Sequence, residues 1–190
     1  MRGPVLALGL LACVGVTAPA AAVSFTLAER EQAEAARIGE RSVSTEEVFG
    51  TEWTQSTAAG DLMVMTPFHR LALAARQNAF KQKLMTPADV DKILREDKGR
   101  LVFWVSLRGP RVDFARFYTP VLVAGGAELK PSLVQNERSP LREADGRYLA
   151  RCVYGFATAT LSEKAKVVLV VRDRDGKEVA RFPVDLAAMR

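Results

Sequence analysis

The sequence predicts an α+β protein in which N-terminal helices are followed by a small antiparallel β-sandwich. Three observations carry this. Two Thr-Pro steps, Thr66-Pro67 and Thr86-Pro87, each open a run of apolar residues at helical spacing. From Leu101 onward the pattern changes to short apolar runs broken by Gly, Pro and Asp. Near the end of the chain, two such runs pair in a register that keeps every large apolar residue on one face.

Taken in order, residues 1–22 read as a secretory signal. Arg2 supplies a positive charge, residues 5–16 hold no charged side chain, and Thr17-Ala18-Pro19-Ala20-Ala21-Ala22 ends the run in small residues. Cleavage is expected after Ala22 or Ala20. Leu10-Leu11-Ala12-Cys13 also resembles a bacterial lipobox, which makes Cys13 a candidate lipidation site and a peripheral membrane tether the consequence if it is acylated. An uncleaved anchor fits worse, because a spanning helix needs about 20 apolar residues and Pro19 interrupts this one. No transmembrane span is expected in the mature chain.

Residues 23–60 form a second section. A helix is expected over 26–41, with Thr26 and Glu29 spaced as a capping box. Its apolar side is thin (Ala33, Ala35, Ala36, Ile38), so a solvated helix is the preferred reading. Residues 42–60 are polar and read as irregular, anchored by Phe49 and Trp53.

Residues 61–190 are expected to form a single α+β domain. A short strand at 62–65 leads into the helix pair at 66–98. Thr66 and Thr86 are the expected N-caps, with Pro67 and Pro87 in the first helical position, where a missing N–H costs nothing. Phe68, Leu71, Ala72, Ala75 and Ala79 line one helix; Val90, Ile93 and Leu94 line the other, which Gly99 closes. Strands are expected at 101–107, 121–124, 128–135, 147–156, 166–172 and 179–185. These six or seven strands make a sandwich over 101–186 that is immunoglobulin-like in architecture only. A two-residue turn at Asp175-Gly176 puts Leu169 opposite Phe182, Val171 opposite Ala180 and Val167 opposite Val184, and extends the column to Asp173 and Glu178.

Composition narrows the function. The net charge of +5 comes from 27 Lys and Arg against 22 Asp and Glu, spread along the chain. Nucleic-acid binding would call for a concentrated basic stripe with aromatic residues interleaved, so no nucleic-acid partner is expected. The two cysteines are Cys13 and Cys152; with Cys13 removed or lipidated, no disulfide forms within the chain. The single histidine, His69, rules out a histidine-built zinc site in one chain, and no metal or cofactor is expected. Glycine motifs for nucleotides and the nucleophile elbow are absent. The stretch from Asp173 to Glu178 lacks the about six to eight oxygens that calcium needs and reads as a turn. Glu46-Glu47 and Glu96-Asp97 read as solvated charge.

Cys152 lies in phase with Tyr148, Ala150, Tyr154 and Phe156, the inward side by its aromatics, and reads as a buried structural thiol. A Cys152–His69 dyad is the one nameable route to a hydrolase-type enzyme. Arg147 and Arg151 share the opposite side with Leu149 and Val153, a candidate partner face. The leading expectation is a non-enzymatic, exported protein, periplasmic or envelope-associated in a bacterial host, that binds another envelope protein or a surface polymer. A carrier or sensor of a small apolar ligand, held where the helix pair covers the sheet, is the alternative.

Overall fold

A computed structural model describes residues 22–45 and 49–190. Residues 1–21 of the expected signal, Cys13 among them, and Glu46-Glu47 lie outside the described residues. The protein is mixed α+β, with three α-helices and ten strands in antiparallel sheets among the described residues.

The helices come early. α1 (Glu29–Arg41) starts later than Thr26: the Glu31 carboxylate accepts the Ala28 N–H at 2.7 Å, and no Thr26–Glu29 box forms. α1 is also not solvated. Ala35 and Gly39 are buried against α2 (Pro67–Phe80). A Cβ on Gly39 would fall well inside contact distance of the Ala72 carbonyl and 2.9 Å from the Ala75 Cβ. The small residues that make α1 look weakly amphipathic are what let the two backbones approach. α2 and α3 (Pro87–Glu96) begin as expected. The Thr66 and Thr86 hydroxyls accept the His69 and Asp89 N–H groups, and Asp89 accepts in return from Thr86 N at 3.0 Å. No helix among the described residues is long and apolar enough to cross a membrane.

The strands fall into two sheets. The first contains β1 (Thr54–Thr57), β2 (Gly60–Met65), β3 (Arg100–Gly109), β8 (Tyr148–Ala157) and β6 (Leu133–Gln135) in that order, with β7 (Leu141–Arg142) also on β8. The second runs β10 (Glu178–Asp185), β9 (Lys166–Arg172), β4 (Thr119–Ala124), β5 (Ala127–Leu129). β1 and β7 lie in segments expected to be irregular or turn. The strand expected over 128–135 is two strands: at Lys130-Pro131 the chain leaves the second sheet as β5 and joins the first as β6. Proline has no N–H to continue a ladder.

The last hairpin keeps the expected core pairs, Leu169–Phe182, Val171–Ala180 and Val167–Val184, by a different route. Asp173 N–H bonds to Lys177 O and Gly176 N–H to Asp173 O, and only Gly176 has positive φ (79°), so the loop has three residues with a bulge, not two. This pairs Glu178 with Arg172 instead of Asp173, and an irregularity before Ala180 restores the register. Asp173 Oδ1 is occupied by the N–H groups of Asp175 and Lys177.

Two cores result. One holds Leu62, Phe103, Val105, Cys152 and Phe156 from the first sheet with Leu122, Leu169 and Phe182 from the second. Each such large side chain, fully buried, contributes roughly 1.5–3 kcal/mol. The second core gathers Leu27, Ala35, Trp53, Phe68 and Leu71 among the helices. Between the sheets, the Tyr154 hydroxyl donates to Asn136 Oδ1 at 2.9 Å, and Asn136 Nδ2 donates to Tyr118 O at 2.8 Å. That chain ties β8 to the approach to β4.

Candidate functional site

β3 and β8 pair along ten residues each and form the centre of the first sheet. One phase of this pair (Leu101, Phe103, Val105, Leu107; Ala150, Cys152, Tyr154, Phe156) is buried toward the second sheet. The other phase carries Val102, Trp104, Ser106 and Arg108 on β3, and Leu149, Arg151 and Val153 on β8. Val102 is buried, but Trp104 is 46% exposed. Register places Met63, Trp104 and Val153 in one row and Asp61, Ser106 and Arg151 in the next. Together with Thr54 and Ser56 of the edge strand they line a shallow groove of about 620 Å³.

Charge on this face is uneven. The Arg108 guanidinium is held by Asp61 at 3.2 Å and Glu143 at 3.0 Å, whereas Arg151, exposed and diagonal to Trp104, makes no ion pair among the described residues. A half-exposed indole beside an uncommitted guanidinium matches the residue types that dominate binding energy at protein interfaces. Arg151 and Val153 thus sit in the groove, with Leu149 partly buried on the same side. Arg147 does not join them. It precedes β8, where its N–H and its guanidinium both bond to Asp145 (2.9 and 3.2 Å) and close the turn. Trp104 was not singled out from sequence. Its run, residues 101–107, is apolar on both phases except at Ser106, so the sequence marks the open phase only by Ser106 and Arg108 at its far end.

The dyad residues are in different cores. His69 is buried in the first turn of α2, stacked on Trp53 with ring centroids 4.3 Å apart, and its Nδ1 lies 2.9 Å from the Val64 carbonyl oxygen. Burial pushes its pKa down, only partly opposed by that hydrogen bond and by the Glu52 carboxylate. Cys152 lies between the sheets. Burial pushes its thiol up, against the smaller effect of hydrogen bonds with Tyr154 and the Glu137 backbone. The thiol is neutral and shielded, and the thiolate is the nucleophilic form. Among the described residues, no group of three or more His, Cys, Asp or Glu is arranged to hold a metal ion.

A second concavity, of about 410 Å³, lies between α3 and the segment leading into α1. Phe25, Leu27, Met65, Ile93 and Leu94 line it, and Arg70, ion-paired with Glu96 at 2.9 Å and with Asp97, borders it. Compared with protein-family models, with curated proteins and with solved structures, the chain matches none.

Proposed function

We propose that this is an exported, envelope-associated protein that works without catalysis, by binding another macromolecule on the open face of its first sheet. The observation that carries this reading is Trp104, open to solvent at the middle of a central strand and diagonal to Arg151. The two sheets share one core, which supports reading them as a small antiparallel sandwich of immunoglobulin-like architecture. The face is favoured over the sheet edges as the contact. β1 is four polar residues long, and β10 carries Pro183 and exposed charges, both devices that blunt strand addition.

A photo-cross-linking residue in place of Trp104 is expected to give a discrete adduct in the envelope of the native host, and one in place of Lys177, on the hairpin loop, none. With the captured partner in hand, Trp104→Ala is expected to weaken binding by about 30-fold, the scale of a central aromatic anchor, and Arg151→Glu to weaken it further. Binding unchanged in both variants would reject the face.

The cleft under α3 supports a second reading, a carrier of a small apolar ligand. Its volume lies within the range of ligand pockets, roughly 300–1,000 Å³, and Phe25, Leu27, Met65, Ile93 and Leu94 give it an apolar side, facing a rim of charged residues. A lipid extract of the purified protein carrying a stoichiometric bound ligand, lost in Leu94→Arg, would establish it; an empty extract would remove it.

A further inference from the structure

From Leu62 to Ala88 the chain contains no Asp or Glu, but it carries Arg70, Arg76, Lys81 and Lys83. Arg70 is committed to Glu96 and Asp97. The other three gather at the far end of α2 and in the connection to α3. The end of α2 is a tight, defined turn: Gln82 N–H donates to Ala79 O and Lys83 N–H to Asn78 O, both at 2.9 Å, with Gln82 at φ 53°. This is the Schellman pattern, and Gln82 is the one non-glycine residue of positive φ among the described residues.

In that pattern the residue after the left-handed position is commonly apolar and packs back on the last helical turn. Here it is Lys83, and although Met85 packs on the helical core, Phe80 and Leu84 on either side of the turn do not. Phe80 is 61% exposed and Leu84 79%, the most exposed large apolar residue among those described. The Arg76 guanidinium lies 5.5 Å over the Phe80 ring. Lys81 and Lys83 make no ion pair among the described residues and are exposed. A strained turn therefore holds two exposed apolar side chains beside exposed Lys81 and Lys83, with the Asp89 carboxylate, bonded to Thr86, within the field of Lys83.

We propose that this tip is a docking point for an anionic lipid surface, with Phe80 and Leu84 entering the boundary between headgroups and acyl chains and Lys81 and Lys83 on the phosphates. Both halves of the contact have a partner there: the apolar pair leaves water and the ammonium groups meet lipid charge. This goes beyond the Trp104 face and does not rest on it.

Sedimentation of the mature chain with vesicles tests it. Binding is expected to mixed phosphatidylglycerol–phosphatidylcholine vesicles and not to phosphatidylcholine alone. Lys81→Glu/Lys83→Glu is expected to lower partitioning by about 25-fold or more, at about five-fold per lysine. Phe80→Ala/Leu84→Ala is expected to lower it by about ten-fold. Gln82→Gly, which suits the positive φ, should keep it. Phe117, another exposed aromatic between arginines (Arg116 and Arg174), serves as the comparison, and Phe117→Ala should bind like the parent. Equal binding by the parent and Phe80→Ala/Leu84→Ala would mean attraction by net charge alone and would overturn the proposal. So would loss of binding in Phe117→Ala, or no binding by the parent.

Discussion

The imidazole of His69 lies flat on Trp53, its plane 5° from parallel, and its Nδ1–H points at the Val64 carbonyl. Because burial lowers the pKa of this ring, the unfolded chain takes up the proton more readily than the folded one. The corresponding stability is present above the ordinary histidine value of 6.5 and is lost as the pH falls through it. We expect the thermal midpoint to fall more steeply between about pH 7 and about pH 5 in the parent than in His69→Asn, which keeps an N–H for Val64 but does not titrate. At pH 7 that variant should be less stable by about 1 kcal/mol, from the lost stacking. Parallel pH curves would show that the proton is taken up elsewhere. The sequence showed His69 near a helix start and Trp53 as an anchor. It could not show them stacked, since fifteen residues that include the β1–β2 hairpin separate them.

The contact of α1 with α2 is made by Ala35, Gly39, Ala72 and Ala75, so its strength lies in closeness. Gly39→Ala tests that directly. In a solvated helix the change would stabilise, because alanine is about 1 kcal/mol better than glycine in a helix interior. Against the Ala72 carbonyl it should instead destabilise, by about 1–2 kcal/mol net in urea unfolding, overpacking costing about 1–3 kcal/mol. A gain in stability would show α1 loosely docked. The hairpin of β9 and β10 illustrates the other side of reading elements from sequence. Its core pairs were legible because a slip of one residue would turn Leu169 and Phe182 out to water. The loop type was not, because the same core register is reached by a two-residue turn or by a three-residue turn followed by a bulge.

Across the whole molecule, both ends of the described chain are tied in. Val23 is buried and its N–H bonds to Leu186 O at 3.1 Å. The Arg190 main-chain oxygen accepts from Trp53 Nε1 and Thr66 Oγ1, and its guanidinium meets Glu52. A start at Val23 would place an ammonium on this buried residue, with a desolvation cost. We therefore expect the intact mass of the protein recovered from the envelope to match a chain beginning at Ala21. A mass for Val23 would remove the argument, and one for Cys13 plus acyl groups would make the protein a lipoprotein. By itself the sequence determined the capped starts of α2 and α3, most strands from β3 onward, the inward side of β8 and the core pairs of the last hairpin. Those follow from interactions within a few residues, and from a periodicity that any partner must respect. Tertiary structure alone decided that β5 and β6 belong to different sheets, that α1 docks, that His69 and Cys152 lie apart, and that Val102 is covered while Trp104 is open. Each of these depends on which distant surface arrives at a given side chain, and a residue's immediate neighbours carry no record of that.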